Sequence, residues 1–228
     1  MELPRMIGPF LTGDAGVNTG VFHMNRDAES LRHLNSAGAW LPTIFFYRWS
    51  RPTITYGHLL DGKKATAWAK KQKIAAVVRR PTGGGAVLHR PNDLSLSILW
   101  PRYLKLFPDR PRDCYTAIHR VLKRAVDRCI HKGTTLYLKP GGRCQTPTDA
   151  SRKTLPVCFQ EPVCSDVMME GRKIVGGALR LSKKAVLYQG TFQLDGVSHR
   201  VLQDAITDEL ENLFAPGNSK NISIALTN

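Results

Sequence analysis

The chain has 228 residues, enough for one large domain with a sizeable core, and its 42% hydrophobic and 22% charged residues are ordinary for a globular protein. Thirty-three Lys+Arg against 18 Asp+Glu give a net charge of +15, which points to an acidic partner such as nucleic acid, a phosphorylated cofactor or an acidic protein. Five cysteines, at 114, 129, 144, 158 and 164, are an odd number without a Cys-x-x-Cys pair, which disfavours both a structural zinc site and a secreted disulfide framework and suits free thiols in a reducing cytoplasm. The N-terminus has no secretory apolar region, and no run reaches the ~20 apolar residues needed to span a bilayer. Nucleic acid is disfavoured by the lack of a basic tail, an RNA-binding aromatic signature or zinc-finger spacing.

In chain order, residues 1–20 read as irregular, with two prolines and four glycines. His23 to Leu34 has helical spacing of Met24, Ala28, Leu31 and Leu34. Leu41 to Tyr47 reads as a strand, Trp49 to Pro52 as a turn, and Thr53 to Tyr56 as a second strand. Lys63 to Lys73 is a basic helix with Ala65, Ala67, Trp68 and Ala69 on its apolar side. Ile74 to Val78 and Leu94 to Trp100 read as strands flanking a glycine-rich hairpin. Asp113 to Cys129 carries the clearest helical period, with Asp113 as its expected cap and Cys114 and Cys129 as core residues. Leu136 to Leu138 is a short strand, and the polar segment 139–154, which holds Cys144, is a loop expected to act as a lid. Val163 to Met169, Ile174 to Leu179 and Ala185 to Leu194 are strands, with a tight turn at Glu170 to Lys173. A helix over Val201 to Phe214 closes the pattern. Helix, strands, helix, strands, helix define an α+β class around a mixed, mainly antiparallel sheet.

Chemistry concentrates in two places. The first is Arg79-Arg80-Pro81-Thr82-Gly83-Gly84-Gly85-Ala86-Val87-Leu88-His89. Three glycines let a ligand approach bare main-chain N–H groups, and two arginines can pair with phosphate or carboxylate. The spacing matches neither the Walker loop nor the dinucleotide fingerprint. The second is Cys158 with Lys173, fifteen residues apart across a strand and a turn. An ammonium beside a thiol favours the nucleophilic thiolate. Spacing alone favours packing for Cys158 and a solvated turn for Lys173, with Cys164 and Cys144 as rival thiols. His58 and His89 stand at loop–strand junctions, where a structural role is the commoner one.

The chain resembles the biotin/lipoate protein ligase catalytic-domain family, in the branch of lipoate–protein ligases and octanoyltransferases. The resemblance is carried by Met24-x-x-Asp27, with His23 where asparagine is usual, and by Trp49-x-x-Pro52 with Thr55-Tyr56-Gly57. There His58 is followed by Leu59-Leu60 where a glutamine is common. It is carried most by the glycine-rich stretch and by Gly171-Arg172-Lys173-Ile174-Val175-Gly176-Gly177-Ala178 with Leu187-Tyr188-Gln189-Gly190. It implies a fold of the class II aminoacyl-tRNA synthetase and biotin ligase type. One catalytic domain would fill residues 1–228, with its core at about 20–214 and no C-terminal accessory domain. It implies catalytic Cys158 and Lys173, and substrate binding by Arg80, Thr82, Gly83, Gly84, Gly85, Ala86, His89, Gly176, Gly177 and Ala178, without a metal in the transferase. A transferase would pass octanoyl from acyl carrier protein through a Cys158 thioester to a lysine of an acidic lipoyl domain, such as an E2 subunit or the glycine-cleavage H protein. It would need no cofactor. A ligase would use ATP and Mg2+ to form lipoyl-adenylate beside Lys173. The third glycine, Gly85, is typical of ligases and often replaced in the similar transferases, whereas Cys158-Phe159 leans to transfer. A non-catalytic lipoyl- or nucleic-acid-binding module is the remaining alternative.

Overall fold

The computed structural model describes residues 5–7, 10–36, 41–91, 93–141 and 155–214. Eight strands form one sheet in the order β1-β2-β3-β7-β11-β10-β9-β8. They are β1 (Arg5–Ile7), β2 (Phe10–Asn18), β3 (Thr43–Trp49), β7 (Leu94–Pro101), β8 (Leu136–Leu138), β9 (Val167–Met169), β10 (Arg172–Leu181) and β11 (Ala185–Phe192). All neighbours are antiparallel except β2 with β3. A second sheet, in the order β5-β4-β6, joins β4 (Thr53–Tyr56), β5 (Ala76–Arg79) and β6 (Val87–His89). The helices are α1 (Gly20–Ser36), α2 (Gly62–Lys71), α3 (Pro111–Asp127) and α4 (His199–Phe214).

The central strand β7 explains how the sheet is covered. Its even positions Leu94, Leu96, Ile98 and Trp100 pack into the core built by α3 and α4, with Ile118, Val121, Leu122, Leu202, Ile206 and Leu210. Leu99 packs against Leu31 and Leu34 of α1 on the opposite face. Ser95 and Ser97 share that second face and are wholly buried. The polar half of the alternation therefore points at a covered polar site rather than at water. In β11, Tyr188 and Phe192 belong to the α3/α4 core, while Gln189 and Thr191 turn toward the same polar site.

Three sequence expectations are corrected. Among the described residues, 10–18 are not irregular, because β2 is a nine-residue strand held by parallel pairing to β3, from Leu11↔Thr43 to Asn18↔Trp49. The glycine-rich stretch is not a hairpin. β5 pairs parallel and β6 antiparallel to opposite edges of β4, so the stretch crosses over β4, and β7 belongs to the other sheet. Asp113 does not cap α3: Arg110 is the N-cap without a side-chain bond, and Pro111 opens the helix with its preset φ. Cys114 is buried and Cys129 half-buried, as core residues of the helix should be. The 139–154 loop falls mostly, and Cys144 wholly, outside the described residues.

Candidate active site

The β9–β10 connection sets up the site. Met169 pairs with Arg172, leaving a two-residue turn in which Glu170 (φ 48°) and Gly171 (φ 82°) both have positive φ, as a type I′ turn requires. Lys173 is therefore the second residue of β10 and 5% exposed, not a solvated turn residue. A register shift between Lys173 and Val175 accompanies the end of pairing with β9. Past Val175, β10 keeps β11 on one side, and its other edge meets the glycine-rich stretch, where Gly83 N–H donates to the Leu179 carbonyl at 3.5 Å.

The glycine-rich stretch in turn receives Cys158. Ala86 and Val157 form a parallel bridge, with Ala86 N–H donating to Pro156 O (2.7 Å) and Cys158 N–H donating to Ala86 O (2.9 Å). A Cβ at Gly85 would stand 2.4 Å from Pro156 O and 3.1 Å from Cys158 Sγ. The absence of a side chain at Gly85 is what lets the cysteine segment lie on this strand. Gly84, at φ +83°, makes the turn. Arg80 folds back over it, with Nη2 donating to Gly83 O (2.6 Å) and Gly85 O (2.7 Å) and Nη1 to Thr55 Oγ1 (3.3 Å). Burial lowers the Arg80 pKa, and the adjacent Cys158 thiol opposes that shift. Arg80 thus serves first as a staple of the loop and second as a buried positive charge beside the sulfur.

Lys173 closes the other side. Its Nζ donates to Cys158 O at 2.9 Å, pairs with Asp166 Oδ2 at 2.8 Å and lies 5.1 Å from the Phe159 ring centroid. Asp166 is fully buried and also accepts from Val163 N–H (2.7 Å) and the Tyr115 hydroxyl (2.5 Å). Tyr115 accepts in turn from Gly177 N–H at 3.1 Å. Gly176 makes room for the lysine, since a Cβ there would meet Lys173 Cε at 2.4 Å.

A cavity opens beside these groups. Of the residues expected from sequence, Arg80, His89, Cys158, Gly176, Gly177 and Ala178 line it. Thr82, Gly83, Gly84, Gly85, Ala86 and Lys173 are outside the wall. Lys173 reaches the wall through Cys158 and Phe159, and Thr82 through its hydroxyl, which donates to Gln189 Oε1 at 2.6 Å. His89 is stacked on Trp49 (centroids 3.8 Å apart) and bonded to Thr55 (2.8 Å) and Thr191 (3.3 Å). Burial, reinforced by Arg80, holds its pKa well below 6.5, so it is a neutral wall residue. His58 stands outside the cavity wall, on the turn after β4.

The sequence reading missed Asp166, Tyr115 and Gln189 as site residues. Gln189 Nε2 donates to Asp27 Oδ2 (2.7 Å), and Ser97 Oγ donates to the same oxygen. Asp27 and Gln189 sit inside motifs quoted for the family resemblance. Asp166 carried a weaker signal, a carboxylate set within an otherwise apolar segment before the lysine strand.

Three buried histidines give the site a pH signature. Burial lowers His23 to about 4 and, with help from Lys173, His119 to about 3, while His89 also stays neutral. On unfolding each returns to about 6.5, so between pH 6.5 and about 4 the unfolded chain binds more protons and stability falls as pH falls. Each contributes at most about 1.4 kcal/mol per pH unit. Urea midpoints taken from pH 7 to 4.5 are expected to fall more gently for His23→Asn combined with His119→Gln. An unchanged slope would contradict this.

A thiol, a guanidinium and an ion-paired lysine thus stand together beside one partly open cavity. Residues 20–219 match the model of the lipoyl protein ligase A/B catalytic domain, and the chain belongs to that family. Octanoyltransferase LipM of Lysinibacillus sphaericus is 32% identical over 76% of this chain and 62% of its own length. The LipM of Staphylococcus aureus is 30% identical over 90% and 71%. The match thus spans under two thirds of the Lysinibacillus relative. Among solved structures, lipoate-protein ligase A bound with ATP aligns over 97% of this chain and 83% of its own at a TM-score of 0.56 and 20% identity. The bipartite lipoate protein ligase of Thermoplasma acidophilum aligns over 97% and 81% at 0.55 and 17%. Both neighbours share the α+β fold of this chain. No helix among the described residues is long and apolar enough to cross a membrane.

Proposed function

We propose that the protein is an octanoyltransferase of protein lipoylation that works through a thioester on Cys158. The single observation that carries this reading is the placement of the Cys158 sulfur at the cavity wall beside buried Arg80, with Lys173 bonded to the same residue's carbonyl. The similarity to octanoyltransferases LipM supports it. The Cys158 thiolate attacks the thioester carbonyl of octanoyl-acyl carrier protein. A new C–S bond forms, the old one breaks, and the carrier's thiolate leaves and takes up a proton. The neutral amine of a lipoyl-domain lysine then attacks the acyl-cysteine: the C–N bond of the amide forms, the C–S bond breaks, and the departing Cys158 sulfur takes up the proton that the nitrogen loses. The positive charges of Arg80 and Lys173 stabilise the negative oxygen and sulfur along the way. The thioester already holds the acyl group in activated form, so neither ATP nor a metal enters this route.

Gly85 and the kinship to ligases favour a second reading, ATP- and Mg2+-dependent lipoate ligation. Incubation with octanoyl-acyl carrier protein and an apo lipoyl domain separates the two. Octanoylation of the lipoyl domain without ATP is the expected result. Modification only when free lipoate and Mg-ATP are supplied would establish the ligase instead.

A further inference from the structure

We propose that α2 and the turn before it form the docking surface for the acidic acyl carrier protein that delivers the acyl group. This deepens the transferase reading and rests on it. Between Asp61 and Asp93 the chain has no acidic residue but eight basic ones, Lys63, Lys64, Lys70, Lys71, Lys73, Arg79, Arg80 and Arg90. Elsewhere, several basic side chains are paired within the fold: Arg124 with Glu209 (2.7 Å), Arg128 with Asp208 (2.8 Å) and Lys105 with Asp109 (2.5 Å). Lys63, Lys70, Lys71 and Lys73 are exposed and have no acidic partner among the described residues. At 100° per residue, Lys63 and Lys71 flank the point opposite the buried Ala65 and Ala69, with the exposed Ala67 between them and Lys70 at the border of that face.

An apolar knob stands next to these charges. Leu59 is 78% exposed. It occupies the position where the family motif departs from its usual pattern, and the folded core gives no reason for a leucine there. Its turn is rigid, with Leu60 N–H donating to Gly57 O (2.9 Å) and Arg79 bonded to the His58 carbonyl. The turn also continues into the site: His58 N–H donates to Thr82 O at 3.0 Å, and a Cβ at Gly57 would stand 2.2 Å from Gly84 O. An exposed apolar residue at the start of a basic helix has the make-up of an electrostatically steered interface.

The reach of the two acyl partners decides between them. α2 packs on the small sheet through Ala69, in one apolar cluster with Ile54 and Ala86, and Cys158 N–H donates to the carbonyl of that same Ala86. A carrier that holds its acyl group on a long phosphopantetheine arm can dock there and still reach the sulfur. A lipoyl domain offers only a lysine stem of four carbons and must sit over the cavity mouth. The arm's phosphodiester adds a negative charge of its own.

The test compares the wild type with Lys63→Glu/Lys70→Glu/Lys71→Glu and, separately, Leu59→Ser. The readouts are Kd for holo-acyl carrier protein, Kd for an apo lipoyl domain, and acylation of the full chain by octanoyl-acyl carrier protein or octanoyl-pantetheine. The triple variant is expected to weaken carrier binding about tenfold or more, with a smaller loss for Leu59→Ser. Acylation by octanoyl-pantetheine and lipoyl-domain binding should stay within about twofold of wild type. An unchanged carrier Kd, no carrier binding by the wild type, or an equal loss of lipoyl-domain binding would overturn the proposal. If the wild type binds the carrier yet takes octanoyl from neither donor, the docking surface stands and the transferase reading fails.

Discussion

Lys173→Met is expected to slow acyl transfer about 10²–10³-fold, the loss that follows removal of one charged stabiliser of a tetrahedral intermediate. The same change is expected to destabilise the fold by about 3–5 kcal/mol, because Asp166 would be left as a buried carboxylate without its cation. Two effects from one substitution need separating. Lys173→Met with Asp166→Asn removes the pair together. The amide oxygen can take the Oδ2 place and accept from Val163 N–H while the amide NH2 in the Oδ1 place donates to the Tyr115 hydroxyl oxygen, so the double variant should regain most of the stability lost by the single one. It should not regain activity. Urea unfolding and single-turnover transfer, run on the same preparations, read the two effects independently. Recovery of activity with stability would mean that Lys173 matters only as the partner of Asp166.

The second large effect is expected at Gly85. An alanine methyl there would collide with Pro156 O at 2.4 Å and press on Cys158 Sγ at 3.1 Å, so the segment that carries the cysteine must move. Both hydrogen bonds of the Ala86–Val157 bridge then weaken, and a misplacement of about 1 Å at a reacting atom costs on the order of 10²-fold in rate. Gly83→Ala is the control two residues away. Its Cβ would meet nothing nearer than Leu179 O at 4.0 Å, and the rate should stay within about threefold of wild type. Equal losses at both glycines would show that the stretch responds to any side chain, not to contact with the cysteine segment.

The elements with strong periodicity were legible. α3 shows its buried stripe from Cys114 to Val126, and the tight turn at Glu170-Gly171 is where the sequence placed it. β2 was not legible, since Gly13, Asp14, Gly16 and Asn18 have poor strand propensity, and its pairing to β3 comes from tertiary structure. The crossover of the glycine-rich stretch was missed because two flanking strands suggest a hairpin, whereas here β4 slots between them. In the site, Cys158 and Lys173 were found by motif, and the β9–β10 turn brings them together as a hairpin would. Asp166 was passed over because its meaning depends on that turn. An aspartate just before a short strand has no role until the hairpin lays it against Lys173 and its carboxylate accepts from Tyr115 of α3. Ser95 and Ser97 are the polar half of the alternation in β7, and only the placement of α1 shows that they face a buried site.

Intact mass spectrometry of the wild type and Cys158→Ala after incubation with octanoyl-acyl carrier protein, without ATP, tests the central claim most directly. The account predicts one octanoyl adduct on the wild type, removed by hydroxylamine, and none on Cys158→Ala. An adduct of equal yield on both proteins, or none on either while lipoate and Mg-ATP yield lipoyl-adenylate, would contradict it and leave Cys158 a structural residue of the glycine-rich strand.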